Sequence, residues 1–240
     1  MKSKNQTVRK SDPYMYRISF LSSGSGSLTE TILRAIEKGA FKRIIPVSII
    51  SDRDSSSLKL GSSFNLKTHV VNFNKSTSRE QSSNEILSIF RKEKIDFSFM
   101  TFDRILSGEI IKEYENKIIN IHPSLLPAFP GYNTIEKARE YGCKYIGATS
   151  HFIDEKMDNG PIINQVVLPL DSREKLEKTE KKLYHLRQRL ALEAIYAFTN
   201  DLIEVNNREV IIKKATYDNY PLNPCIDIPE INDFLKSYDK

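Results

Sequence analysis

Short apolar segments alternate with amphipathic segments along most of this chain, and this alternation is the feature that most limits its fold. In the first half, helical spacing separates strand-length apolar runs, which lie at 16–21, 44–51, 69–72, 97–101 and 118–122. We expect helices at 28–38, 79–94 and near 110–114. A repeated strand–helix–strand order implies a doubly wound α/β fold, with a mostly parallel twisted sheet and helices on both faces.

The second half continues this order after a proline-rich loop at 123–131. Its expected elements are a helix at 134–141, strands at 146–153 and 162–168, a long helix at 173–199 and a terminal hairpin around Asn206-Asn207. We therefore predict one folded domain over 16–214. A solvated extension at 1–15 precedes the domain, and an irregular tail at 215–240 follows it.

Composition places the chain among ordinary globular proteins. Of its 240 residues, 39% are hydrophobic and 28% are charged, and no apolar run is long enough to cross a bilayer. The first residues carry basic side chains without the apolar core of a secretion signal, so we expect a cytoplasmic protein. Cys143 and Cys225 lack the spacing of metal ligands, which favours free thiols. The net charge of +5 is interspersed and suits either small anions or nucleic acid.

Polar side chains stand at the end of the strand predicted at 118–122. Asn120 and His122 alternate with apolar Ile119 and Ile121, and Pro123 ends the strand. Open α/β folds bind ligands at the carboxyl edge of the sheet, where these two side chains would emerge. His122 alone is more typical of a structural histidine, but the nearby Asn120 on the same strand face favours a functional site.

A carboxylate follows in Met157-Asp158-Asn159-Gly160-Pro161. Asp158 fits an ordinary turn, because Asp, Asn and Gly are common turn residues. Together with Asn120 and His122, however, it completes an amide, an imidazole and a carboxylate, which are the groups needed to pass an acyl unit to an amine. His151, on the strand predicted at 146–153, is interpreted as a core residue or as a support for the site.

A serine- and glycine-rich turn at 22–27 joins the first strand to the first helix. Backbone N–H groups at such a helix start can bind phosphate, although the turn also fits a simple tight connection. It lacks the full dinucleotide-binding fingerprint, which includes an acidic residue at the end of the second strand. Phosphate binding therefore remains one of two interpretations of this turn.

These motifs resemble the formyltransferase family that uses 10-formyltetrahydrofolate, over nearly the whole chain from Arg17 to Ile212. The resemblance implies that Asn120, His122 and Asp158 are catalytic. It implies folate binding by Phe102, Arg104, Ile105, Leu106, Ile153 and Asp154, with Arg79 near the glutamate tail of the folate. It also implies that Gly24, Ser25, Gly26 and Ser27 hold the phosphate of the substrate.

The resemblance implies partners as well as residues. The co-substrate is 10-formyltetrahydrofolate, the acceptor is a small phosphorylated amine, and no metal, nucleic acid or membrane takes part. A monomer or a homodimer is expected. The branch that formylates 5′-phosphoribosylglycinamide (GAR) in purine synthesis is the most similar. A transfer RNA acceptor fits less well, because Pro130-Gly131 replaces the usual Arg-Gly and the sequence shows no RNA-binding C-terminal domain.

Departures from the GAR branch keep other acceptors open. Leu28 follows Gly26-Ser27 where that branch has Asn, and a substrate-binding glutamate is interpreted as replaced by Leu192, with Glu193 one position away. The alternatives are a formyltetrahydrofolate hydrolase, in which water replaces the amine, and an N-formyltransferase acting on a nucleotide-linked amino sugar. A folate-binding protein of the same fold is the non-enzymatic alternative.

Overall fold

A central eight-stranded sheet organises the computed structural model, which describes residues 13–73 and 78–238. In spatial order the strands are β10-β7-β6-β5-β4-β1-β2-β3. Their bounds in chain order are β1 Tyr16–Ser22, β2 Ile44–Ser51, β3 Lys67–Val70, β4 Phe97–Thr101, β5 Ile118–His122, β6 Tyr145–Phe152, β7 Ile162–Pro169 and β10 Leu222–Asn223. Strands β8 (Ile203–Asn206) and β9 (Glu209–Ile212) form a separate antiparallel hairpin, as the sequence predicts.

Strand direction divides the sheet at β5. Neighbours from β3 to β5 run parallel, whereas β6, β7 and β10 are each antiparallel to the strand before them in the sheet. The expected doubly wound, mostly parallel α/β fold is confirmed. Asn120 and His122 of β5 thus lie where the parallel part meets the antiparallel part.

Helices pack on both faces of the sheet. The helices are α1 Ser27–Glu37, α2 Lys59–Ser63, α3 Arg79–Glu93, α4 Glu109–Glu113, α5 Thr134–Glu140, α6 Leu176–Thr199 and α7 Pro229–Tyr238. Ile18 and Phe20 face a large core shared with α1, α5, α6 and α7, while Leu21 faces a smaller core shared with α3 and α4. This alternation along β1 is the period of two that a strand buried on both faces requires.

The segment after 214 differs from the irregular tail that the sequence predicts. Strand β10 extends the sheet by pairing Leu222 with Val166 of β7, and α7 packs onto the larger core through Ile231 and Phe234. Helix α6 also begins at Leu176 rather than at 173, because the Asp171 carboxylate accepts the backbone N–H of Arg173 and holds that stretch in a turn. In the part of the chain that the structure describes, no helix is long and apolar enough to cross a membrane.

Candidate active site

Strand β5 places two polar side chains beside a histidine of β6. The antiparallel register sets Asn120 directly opposite His151 and His122 opposite Thr149. Pro123 follows His122 and opens the proline-rich loop, and Phe129 of that loop returns to contact His122. Register and loop together bring side chains that are distant in sequence to one place.

His122 is held from both sides of its ring. Nε2 lies 3.0 Å from the carbonyl oxygen of Phe129, and since a carbonyl only accepts, Nε2 is the donor. Nδ1 lies 3.3 Å from Oδ2 of Asp158, and the ring is only 5% exposed. That separation is longer than a typical hydrogen bond, so Nδ1 is not saturated by Asp158.

The loop after β6 holds Asp158 in an unusual backbone conformation. Its φ of 49° lies in the left-handed region, and its Oδ2 accepts the backbone N–H of Gly131 at 2.9 Å. Gly160 lies close to the chain, since a Cβ there would sit 1.8 Å from the carbonyl oxygen of Phe152. The loop therefore needs glycine at 160 to bring Asp158 to His122.

His151 orients the amide of Asn120. Its Nδ1 lies 2.8 Å from the carbonyl of Phe152 and donates to it, so Nε2 of the neutral ring accepts from Asn120 Nδ2 at 3.2 Å. Burial lowers the pKa of His151, which keeps the ring neutral, although Asp158 at 3.9 Å acts in the opposite sense. One N–H of Asn120 is thereby fixed, and its second N–H remains available to a ligand.

A cavity of about 300 Å³ opens beside these side chains. Asn120, His122 and Asp158 all line it. So do the six residues expected at the folate ring, which are Phe102, Arg104, Ile105, Leu106, Ile153 and Asp154. The structure thus gathers the expected catalytic and ring-binding residues around one space at the carboxyl ends of β4 and β5.

Two charged members of this lining have partners in the protein. Arg104 donates to buried Asp52 at 2.7 Å, and Arg53 contacts the same carboxylate at 2.8 Å. Burial alone would raise the pKa of Asp52, but the hydrogen bonds from Arg53 and Arg104 lower it. Asp154 accepts the side-chain amide of Asn159 at 2.5 Å. Arg104 and Asp154 therefore shape the cavity wall through these fixed contacts.

The remaining expected binding residues lie outside this lining. Gly24, Ser25, Gly26 and Ser27 form the turn after β1, next to Ser23, whose hydroxyl accepts the backbone N–H of cavity-lining Asp103 at 2.7 Å. Arg79 is exposed on the first turn of α3, which Ser78 caps through Gln81. The turn adjoins the cavity wall through Ser23, whereas Arg79 is not among the described residues that line the cavity.

Helix α6 contributes a residue that the sequence reasoning missed. The interpretation of Leu192 as a substrate-facing position is wrong, because Leu192 is fully buried in the larger core. Glu193 is also turned inward, where its carboxylate accepts the backbone N–H of Ile226 at 3.1 Å. Among the described residues of α6, Arg187 is the one that lines the cavity. The sequence offered no signal for it, because basic side chains recur along α6 and several of them are exposed.

Comparison with known proteins identifies the family of this chain. A model of the formyl transferase family matches residues 16–195. The chain belongs to the formyl transferase family. That match covers the strands and loops that carry Asn120, His122 and Asp158.

Relatives of this formyl transferase include two kinds of enzyme. Phosphoribosylglycinamide formyltransferase of Bacillus subtilis is 28% identical over 81% of this chain and 98% of its own length. The crystal structure of glycinamide ribonucleotide transformylase 1 from Symbiobacterium toebii superposes with a TM-score of 0.80 at 29% identity, covering 88% of this chain and 99% of that one. Formyltetrahydrofolate deformylase 2 of Arabidopsis thaliana is 34% identical over 55% of this chain but only 41% of its own length.

Proposed function

We propose that this protein transfers a formyl group from 10-formyltetrahydrofolate to the amine of 5′-phosphoribosylglycinamide. The observation that carries the proposal is the single cavity lined by Asn120, His122 and Asp158 together with the 102–106 segment. Similarity to GAR formyltransferases over most of both chains supports this acceptor.

The chemistry follows from where charge develops. The amine attacks the formyl carbon, a C–N bond forms, and the carbonyl oxygen becomes negative before the bond to N10 of the folate breaks. The free N–H of Asn120 and the Nδ1–H of protonated His122 stabilise that oxygen. Asp158 stabilises the charged imidazole and accepts the proton that the attacking ammonium loses, directly or through water, while N10 gains a proton.

The residues present fit a folate ring at one end of the cavity. Phe102, Leu106 and Ile153 supply apolar walls, and the backbone of the 102–106 segment supplies hydrogen-bonding groups. A flat heterocycle with a polar edge needs this combination of walls and donors. The folate ring would lie there with its formyl group directed toward Asn120 and His122.

The phosphate of the acceptor has a candidate site at the Gly/Ser turn. Gly26 is the N-cap of α1 with a φ of 74°, and no side chain caps this helix start. Gly24, Ser25 and Ser27 are exposed there, so backbone N–H groups are accessible to an anion. An acceptor held at this turn by its phosphate would direct its amine toward His122.

A direct assay tests the proposal. Purified protein is mixed with 10-formyltetrahydrofolate, and tetrahydrofolate release is followed with and without GAR. We expect release that depends on GAR. Release that needs a nucleotide-linked amino sugar instead would move the activity to that acceptor, and absence of release with any amine or water would indicate a folate-binding protein.

Hydrolysis is the second candidate, and similarity to the Arabidopsis deformylase is the observation that favours it. In that reaction water takes the place of the amine, and Asn120, His122 and Asp158 keep the same roles. Release of tetrahydrofolate and formate in the absence of any amine would support hydrolysis over transfer.

A further inference from the structure

The loop between β6 and β7 carries Asp158, and its tip at 155–157 is exposed. Asp154 accepts a backbone N–H of the tip at 2.9 Å and the side-chain amide of Asn159 at 2.5 Å. Both contacts lie within the loop, so they shape it without attaching it to the rest of the molecule. The position of the loop relative to His122 therefore depends on contacts with other elements.

A side chain from outside the loop holds the backbone beside Asp158. Nη2 of Arg208 donates to the backbone carbonyl oxygen of Asn159 at 2.6 Å. A guanidinium donor makes a charge-assisted hydrogen bond, which is shorter and stronger than one between neutral groups. That carbonyl belongs to the peptide that joins Asn159 to Gly160, where the loop passes close to Phe152. Arg208 thus fixes the backbone between this close crossing and the carboxylate.

Arg208 reaches the loop from a hairpin that is packed on the core. It is the second residue of the two-residue turn between β8 and β9, after Asn207, whose φ is 57°. Ile212 of β9 is 2% exposed in the larger core, and β9 contacts β7. The turn is therefore a supported base from which a long side chain can anchor a neighbouring loop.

The backbone N–H of Gly131 reports where the carboxylate lies. It donates to Oδ2 of Asp158 at 2.9 Å, and the same oxygen lies 3.3 Å from Nδ1 of His122. A movement of the loop that takes Asp158 away from His122 also breaks the hydrogen bond from Gly131. Because Gly131 belongs to the proline-rich loop, its protection from exchange does not depend directly on the hairpin.

We propose that Arg208 is a positioning residue, which holds the Asp158 loop so that its carboxylate stays beside His122. Arg208 is not among the described residues that line the cavity, so it acts through Asp158 rather than on a ligand. It also lies outside the stretch 16–195 that matches the family model. The contact carries the positioning, whereas its effect on turnover rests on the proposed function.

The test compares three variants of the full chain. Arg208→Met removes the donors and keeps an aliphatic side chain, whereas Arg208→Lys keeps a cation that can donate. Lys213→Met is the matched control, because it removes an exposed cation of the same hairpin whose partner is Glu204 of β8 at 2.6 Å. This control loses an ion pair across the hairpin and keeps the contact between Arg208 and the loop.

Kinetics give the first readout. In Arg208→Met, kcat with GAR and 10-formyltetrahydrofolate should fall about 3- to 10-fold, since a slightly displaced carboxylate stabilises His122 and accepts the proton less well. The KM for each substrate should stay within about twofold, because the lost contact acts on the reaction step rather than on binding. Arg208→Lys should recover part of kcat, and Lys213→Met should keep the wild-type value.

A second readout needs no turnover. Amide hydrogen exchange of Gly131 is followed by two-dimensional NMR in the wild type and the three variants. In Arg208→Met, Gly131 should exchange at least about threefold faster, because opening of the loop removes its acceptor. Lys213→Met should leave this rate unchanged. If Arg208 only stabilised the hairpin, exchange would rise on β8 and β9 in both variants and stay unaltered at Gly131.

The outcomes separate this inference from the proposed function. Faster Gly131 exchange in Arg208→Met, in a protein whose wild type shows no GAR-dependent turnover, would support the positioning and remove GAR as the acceptor. Gly131 exchange equal in the wild type and Arg208→Met would overturn the inference, whatever the kinetics. So would a wild-type kcat in Arg208→Met when the wild-type protein turns over GAR.

Discussion

At the scale of single residues, the candidate site depends on how its polar side chains are oriented more than on their presence alone. Asn120, His122 and Asp158 each reach the cavity, and each is fixed by a partner that the sequence motif does not contain: His151, the Phe129 carbonyl and the Gly131 N–H. The strand pattern and the turn motif were sufficient to predict the three side chains. His151 was predicted only as a core residue or a support for the site, whereas the Phe129 carbonyl and the Gly131 N–H depend on the course of the proline-rich loop, which the pattern does not predict.

Replacing His122 with alanine tests its assigned role. Loss of a donor to the developing oxyanion should lower kcat by about 100- to 1000-fold. The dissociation constant for folate, measured by fluorescence quenching, should change little because the proposed ring contacts lie on the 102–106 and 153–154 segments. Turnover equal to that of the wild type would refute the role.

At the scale of elements, two contacts could not be predicted from the spacing of apolar residues. One lies in the loop between β6 and β7, and the other is made by the long helix α6. Gly160 permits a close crossing of two backbone segments, and Glu193 ties α6 to the C-terminal segment. Periodicity predicted both elements correctly in kind. It predicted neither the crossing nor the tie, since both depend on contacts with distant backbone.

Gly160→Ala should displace the loop that carries Asp158. The new Cβ would meet the carbonyl of Phe152 at 1.8 Å, so the backbone must move. We expect kcat to fall at least about tenfold, since small misplacements of catalytic groups are costly. Gly142→Ala is the control, because Gly142 has a φ of 81° but no atom within 4 Å of its Cβ position. It should lose about 1–2 kcal/mol of stability and keep its kcat.

Glu193→Ala should loosen the C-terminal segment. Burial raises the pKa of Glu193 against the hydrogen bonds from Arg189 and Ile226, and alanine would leave the Ile226 N–H without its acceptor. A loss of about 2–4 kcal/mol in the free energy of unfolding is expected. Hydrogen exchange should rise over 225–238. The exposed-site variant Glu230→Ala should neither cause this loss of stability nor raise the exchange. Equal effects of the two variants would contradict the role of Glu193 in holding the C-terminal segment.

At the scale of the whole molecule, alternation of strands and helices was enough to predict the layered sheet. It was not enough for the end of the chain, because a two-residue strand such as β10 has no periodicity to detect. The amphipathic pattern of α7 lay in a segment too short and too polar in its surroundings to be distinguished from coil. Long-range contacts decided both: β10 pairs with β7, and α7 packs onto α6.

The overall stability should depend on pH through His151. Burial lowers its pKa in the folded protein, so the unfolded chain binds more protons than the native state once the pH falls below about 6.5. Stability should therefore fall from pH 7 to pH 5, with at most about 1.4 kcal/mol per pH unit from this group. In urea unfolding, His151→Gln should show a shallower decline. Identical slopes for both proteins would contradict this.

The pairing of β10 with β7 has a consequence for how the molecule meets its neighbours in solution. Without it, β7 would present a row of open backbone donors and acceptors on which another chain could build. Strand β10, which pairs with β7, is two residues long and is flanked by Pro221 and Pro224. Proline has no backbone N–H to donate to a further strand. The segment after 214 thus covers part of one sheet edge on which another copy could otherwise build, a contribution independent of catalysis.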